Sequence, residues 1–307
     1  MNFQKINADY FVKKFDCPQL ASKIEEWLEG INTRHTVCDN AQLNEYIMFV
    51  LKTMATPRAS RTPQQNLSVW EEGWSQHLTA LNKKRILLAD LKPKYFRPTK
   101  FFRFNKKVVC VENENIEYEL FTVARKVIFQ KYLPGYNDIY ELGCGSCHNL
   151  LMLAKMFPKS TLHGFDWTKT SNAIADGLCK FLPNKISGKR FNMANVPGKK
   201  MIKPDSAVFT IHAMEQLGER FEELTRYLIE CRPSIVVNYE PIVEMYDQND
   251  LTDYLAYFYS IKRNYLSGYW PFLENLAAAG KIEIIKAVRP YIGGVIHEAS
   301  LIVWRPC

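Results

Sequence analysis

The stretch "YELGCGSCHNLL", residues 140–151, supports three readings at once. Cys144-Gly-Ser-Cys147-His148 spells C-x-x-C-H, the attachment pattern of a c-type haem. Without the histidine, the two cysteines are a thioredoxin-like redox pair or half of a zinc site. Read from its glycines, Glu141-Leu-Gly143-Cys144-Gly145 is an acidic residue followed by a tight turn, a shape that suits a nucleotide-like cofactor.

The rest of the chain bears on the choice. Its 307 residues are 47% hydrophobic and 23% charged, so it can bury a large core without crosslinks. No apolar run approaches the ~18 residues of a membrane span. The opening "MNFQKINADYFVKKFDC" lacks the apolar block of a secretory signal, so a cytoplasmic location and no membrane partner are expected. In a reducing compartment the 8 scattered cysteines read as free thiols and buried small side chains. A c-type haem is attached elsewhere, and no second C-x-x-C or H-x₃₋₅-H completes a zinc site.

Two regions differ in pattern. Residues 1–112 read as helices and loops, a mainly helical, basic cap with a role in substrate recognition. Asp39 precedes an amphipathic run in which Leu43, Tyr46, Ile47, Val50, Leu51 and Met54 share a face. "TPRASRTPQQN" reads as a polar loop, and Trp70, Trp74 and Leu78 as a packing stripe. Residues 52–107 hold thirteen Lys or Arg against three Asp or Glu, a net +10, while the remainder sums to −2. Such a block meets nucleic acid, phosphate or an anionic cofactor, or is a solvated face. Residues 113–307 alternate strand-like and helical runs, which implies a mostly parallel sheet covered on both faces, closed by a strand-like pair around "IGG".

The glycine turn then lies between the first strand of that sheet and its following helix. About 25 residues beyond Glu141, Asp166 in "GFDW" ends the second strand, placed to accept hydrogen bonds from ribose hydroxyls. A dinucleotide site prefers G-x-G-x-x-G, but position 148 is histidine, which counts against a nicotinamide oxidoreductase. In these features the sequence resembles the class I S-adenosylmethionine-dependent methyltransferases. "ELGCGSC" matches their acidic-glycine motif, with Cys147 in place of its last glycine, and Asp166 matches their ribose-binding acid. The resemblance covers residues 113–307 and implies an α/β, doubly wound seven-stranded sheet with a terminal antiparallel β-hairpin. It implies S-adenosyl-L-methionine as cofactor, with S-adenosyl-L-homocysteine as product. Glu141, Gly143, Cys144 and Gly145 would neighbour its amino-acid part, Asp166 and Trp167 its ribose, and Asn192 and Met193 its adenine.

Ligands of such a sheet collect beyond the carboxyl ends of its parallel strands. His212, Glu215 and Gln216 fall there after the fourth strand, Tyr239 and Glu240 after the fifth, and His297 at the start of the last. His212 is the expected general base, with Glu215, Glu240 and His297 beside it as catalytic candidates. Those four are also a nitrogen–oxygen ligand set, but their spacing matches no compact metal motif, so no metal is expected. Tyr265, Tyr269 and Trp270, in an aromatic segment beside Lys262 and Arg263, read as a lid that contacts the acceptor with Gln216 and Tyr239. The expected activity is methyl transfer to an O or N nucleophile of a polar small molecule, natural product or peptide. The competing expectation is an RNA- or protein-binding protein that retains the fold.

Overall fold

The structure is a computed structural model, and it describes residues 3–56 and 63–307. Its first part runs β1 (Gln4–Lys5), α1 (Ala8–Phe15), α2 (Ala21–Leu28), β2 (Arg34–Val37), α3 (Asn40–Met54), α4 (Pro63–Ser75), β3 (Phe101–Phe104) and β4 (Lys107–Val111). The second part runs α5 (Ile116–Tyr132), β5 (Asp138–Leu142), α6 (His148–Met156), β6 (Thr161–Asp166), α7 (Lys169–Leu178), β7 (Ile186–Arg190) and β8 (Ala207–Ile211). It ends with α8 (Glu222–Cys231), β9 (Ile235–Glu240), α9 (Leu251–Lys262), α10 (Tyr269–Ala278), β10 (Ile282–Val288) and β11 (Ser300–Pro306).

The second part forms one sheet of seven strands in the order β10-β11-β9-β8-β5-β6-β7. Strands β5 to β9 are mutually parallel, and β10 and β11 are antiparallel. The central strands are rich in apolar residues because both faces are covered: all six residues of β9 are buried, Asn238 and Glu240 included. Side chains alternate between two cores, so Leu301 and Val303 of β11 face α5 and α6, while Ile302 and Trp304 face α8 and α10. After β5 the chain winds outward through β6 and β7, then returns to lay β8 on the other edge of β5. This reversal opens a crevice above the ends of β5 and β8, where doubly wound sheets bind ligands. The sheet, its strand order and its final hairpin are as the resemblance implied.

The first part is mainly helical, as its sequence implied, but it is not helices and loops alone. It carries a four-stranded antiparallel sheet, β1-β2-β4-β3. β3 and β4, in a region read as helices and loops, are a hairpin whose two-residue turn, Asn105-Lys106, has φ of 47° and 65°. A turn with both central residues in that region matches the twist of the flanking strands, at a steric cost for a lysine. Asp39 does cap α3, accepting from the Gln42 amide while Gln42 accepts from that of Asp39. Leu51, however, is exposed, and the buried face of α3 is Tyr46, Val50 and Met54. Of the stretch read as a polar loop at 56–66, residues 57–62 lie outside the described residues, and α4 already begins at Pro63.

Core side chains from α1, α2, β3 and β4 belong to the same cluster as those of α5, α6 and β11. A buried ion network ties the parts further. Arg103 of β3 bonds Asp253 of α9 (Nη2–Oδ1 2.6 Å) and Glu298 (Nε–Oε2 2.6 Å), and Arg289 pairs with the same two carboxylates. The β10–β11 connection is the long segment 289–299 rather than a tight turn at "IGG", and within it Glu298 is drawn inward to Arg103 while Arg289 meets Glu298 and Asp253.

Candidate functional site

The crevice holds a cavity of about 970 Å³, counting its open mouth. Its floor is the turn from β5 to α6. Gly143 (φ 78°) and Gly145 (φ 50°) take left-handed backbone, and a Cβ there would come within 2.4 Å of Ala213 and 2.9 Å of Trp74 respectively. Cys147, where the family motif has glycine, also lies at φ 61°. Both turn cysteines are buried free thiols, their Sγ atoms 3.8 Å apart, and burial pushes both pKa values up. A raised thiol pKa is the opposite of what redox or metal chemistry uses.

Glu141, at the end of β5, is buried on the cavity wall. Asn149 donates to its Oε1 at 2.6 Å, while its Oε2 is buried with no partner. Burial pushes its carboxyl up to about 8, against the lowering influence of Asn149 and Arg125. Across the turn, Asp166 ends β6. Its Oδ2 accepts from the Gly145 amide (3.0 Å) and its Oδ1 from the amide and hydroxyl of Thr168 (2.8 and 2.7 Å). Burial raises the Asp166 pKa, opposed by those donors. Trp167 lines the wall next to it, and Asn192 and Met193, in the loop after β7, line the rim with Cys144. All eight residues assigned to cofactor from the sequence therefore border one cavity.

The acceptor-side candidates divide. His212 and Gln216 line the same cavity. His212 sits at φ 50°, an uncommon conformation for a non-glycine residue, immediately after β8. Its Nδ1 lies 3.0 Å from Glu215 Oε2, and His297 Nε2 lies 3.8 Å from the same oxygen. Burial would push Glu215 up, but the two imidazoles hold its carboxyl down at about 2. Burial would lower His212, and Glu215 outweighs it, so the His212 pKa is raised. Pairing with Glu215 therefore favours the charged form of the His212 ring.

Glu240 does not reach the cavity. Its fully buried carboxylate accepts the amides of Ala213, Met214 and Glu215 (3.1–3.2 Å), so it pins the turn that carries His212 and Glu215. Tyr239 is buried against Phe121, ring centroids 5.6 Å apart. Tyr265 lies edge-on to His297 at 5.9 Å. Tyr269 and Trp270 pack on the other face of the sheet, where the Tyr269 hydroxyl donates to Asn238 at 2.8 Å. These two are not brought to the cavity, because α10 covers β10 rather than the carboxyl ends of the strands.

Several cavity residues were not read from the sequence as site residues, the tryptophans having been read as packing. Trp70 and Trp74 of α4 stack at 5.4 Å and line it, as do Tyr95 and Arg125. Glu71 seats α4 by accepting the amides of Lys169 and Thr170 (both 3.0 Å) at the start of α7. Arg125 Nη1 donates to Asn149 Oδ1 at 2.7 Å, which completes a chain Arg125–Asn149–Glu141. One signal was available: Arg125 interrupts the apolar face formed by Phe121, Ala124 and Ile128 of α5. In the basic 52–107 segment, Arg103 is buried, and Lys83 and Lys100 pair with Asp90 and Glu45.

Neither a family model nor a curated protein matches the chain. Among solved structures it is similar to the 4+2 cyclase SpnF, at 13% identity and a TM-score of 0.49, covering 80% of this chain and 97% of that one. It is also similar to the methyltransferase domain of bacterial CtHen1, at 18% identity, TM-score 0.44, with 62% and 98% covered. A third is an O-methyltransferase from a trans-AT PKS multienzyme of Brevibacillus brevis, in complex with S-adenosyl-L-homocysteine, at 14% identity, TM-score 0.45, with 63% and 73% covered. These are distant likenesses of fold. On its own strand order, five parallel strands closed by an antiparallel pair, the chain has the class I methyltransferase fold.

Proposed function

We propose that the protein transfers a methyl group from S-adenosyl-L-methionine to an O or N nucleophile of a polar small-molecule, natural-product or peptide acceptor. The observation that carries this reading is the orphaned Oε2 of Glu141, a buried carboxylate oxygen on the cavity wall without a donor. Left unpaired, such a group costs about 1–3 kcal/mol, and a ligand ammonium group supplies the missing donor. Asp166, across the glycine turn, retains lone pairs on Oδ2 for a pair of hydroxyls. The cofactor would supply an electrophilic methyl on a sulfonium.

The chain's own work is then alignment of the acceptor and, where needed, removal of its proton. We assign acceptor activation to His212, Glu215 and His297. His212 is the member on the cavity wall and the one that meets the acceptor. Glu215 orients its ring, and Glu240 holds the turn beneath both. Gln216, on the cavity wall beside the cluster, is an acceptor contact, and Tyr265 packs behind it on His297. Residues 1–112, through Trp70, Trp74 and Tyr95, form the cap over the cavity.

The reading is tested by calorimetric titration with S-adenosyl-L-methionine beside NAD, with Asp166→Ala as control. Micromolar binding of the first alone, weakened in the variant, supports it. Absence of binding removes the enzyme reading. His212→Ala should then lower turnover far more than cofactor affinity.

A further inference from the structure

His212, Glu215 and His297 converge from two distant segments, and their ligand atoms all lie within 4.8 Å of one another. We propose that these three side chains bind one first-row transition-metal dication, of the manganese, iron or zinc class, at the acceptor end of the cavity.

The geometry is close to a coordination polyhedron. Donors at about 2.0–2.2 Å from a metal stand about 3.0–3.4 Å apart when adjacent. His212 Nδ1 and Glu215 Oε2 are 3.0 Å apart, and His297 Nε2 and Glu215 Oε2 3.8 Å. Binding would require the three donors, now within 4.8 Å of one another, to draw together by side-chain rotation. The donors are also held from behind, as metal ligands need to be. Gln216 Nε2 donates to the other oxygen of Glu215 at 3.1 Å, which leaves Oε2 as the one directed at the imidazoles. His297 is clamped by ring contacts that spare its nitrogens, stacked on Tyr259 at 5.3 Å and edge-on to Tyr265. Glu240 fixes the backbone of residues 213–215.

Donor chemistry selects the class. Two imidazoles and one carboxylate suit manganese, iron or zinc, whereas magnesium and calcium prefer oxygen donors, and the cluster has no sulfur for copper(I). Three protein donors leave positions open, on the side where His212 borders the cavity. The role, though not the binding, rests on the methyltransferase reading: the cation lowers the pKa of an acceptor hydroxyl, which gives its proton to solvent at the cavity mouth before its oxygen takes the methyl, and His212 serves as ligand in place of proton acceptor.

The full chain, stripped with a chelator, is titrated with Mn²⁺, Zn²⁺ and Mg²⁺ by calorimetry. One Mn²⁺ or Zn²⁺ per chain is expected, with weaker Mg²⁺ binding. His297→Ala, in a partly exposed loop position, should weaken binding by about 10- to 100-fold. Pulsed electron paramagnetic resonance of the wild-type Mn²⁺ complex should show imidazole ¹⁴N coupling, whatever the variant's folding. Absence of stoichiometric binding, or binding without ¹⁴N coupling, overturns the proposal. S-adenosyl-L-methionine titrated into the same samples separates the failures: cofactor without metal sinks this inference alone, and metal without cofactor sinks the enzyme reading alone.

Discussion

Asn149 gives its amide to Glu141 across 2.6 Å and leaves the second oxygen of that carboxylate buried without a donor. Arg125 holds Asn149 from behind, so the geometry is fixed before any ligand arrives. A site of this kind is preorganised, and its unmet hydrogen bond is satisfied on binding.

Glu141→Gln tests that arrangement. Its loss of charge should weaken S-adenosyl-L-methionine binding by about 10- to 100-fold, the equivalent of a charged hydrogen bond of about 1.5–3 kcal/mol. At pH 8.5 the ligand-free variant should be the more stable by about 1–3 kcal/mol, since an unpaired buried charge is gone. Calorimetry and urea unfolding read the two effects. Equal affinity in both proteins would sink the role of Glu141.

The same residue sets a pH dependence. Its carboxyl rises from 4.5 in the unfolded chain to about 8 in the fold, so the native state binds the extra proton between those values. Its contribution to stability is therefore greatest below about pH 4.5 and declines as pH rises toward 8. Binding of an ammonium-bearing ligand favours the ionised form, so affinity should climb from pH 6 to pH 8.5. Glu141→Gln should flatten both trends, and a wild-type affinity independent of pH would contradict the assignment.

Trp74 rests on Gly145, and its removal leaves the turn without one wall. Trp74→Ala should raise the cofactor Kd by about tenfold, with kcat at saturation little changed, because the ring packs and does no chemistry. A fall in kcat with an unchanged Kd would move Trp74 to the acceptor side.

Arg103 and Lys100 offer a paired test of charge in two settings. Arg103→Met leaves Arg289 alone against two buried carboxylates, an uncompensated buried charge, and should cost about 3–5 kcal/mol. Lys100→Ala, which breaks an exposed pair with Glu45, should cost at most about 1 kcal/mol. Urea midpoints for the two variants give the comparison directly. Similar costs would mean that the buried network contributes nothing beyond ordinary surface pairing.

What could be read in the sequence was whatever depends on short-range spacing. Gly143, Gly145 and Asp166 stand out because a strand, a turn and a helix fix their separations locally. His212 and Glu215, three residues apart, were also visible, but the raised pKa of His212 depends on Glu215, Glu240 and Glu117 arriving from three elements. Trp70 and Trp74 read as packing because their place on the cavity depends on Glu71 meeting Lys169 and Thr170, 98 and 99 residues away. The first sheet was missed for a related reason. Its strands are two to five residues long, too short for a periodic pattern, and Thr36 pairs with Cys110. The β3–β4 turn uses Asn-Lys, where Asn-Gly would have announced a hairpin.

The ion network at Arg103 also has a bearing on synthesis. Three of its four members are Asp253, Arg289 and Glu298, encoded 150 to 195 residues later than Arg103. While the ribosome is still translating the sheet, the β3–β4 hairpin holds a guanidinium with no counter-ion and an edge awaiting residues 291–294. The first-made region therefore finishes folding among the last, and a nascent chain shorter than about 300 residues should remain open to proteases and chaperones near residues 100–111.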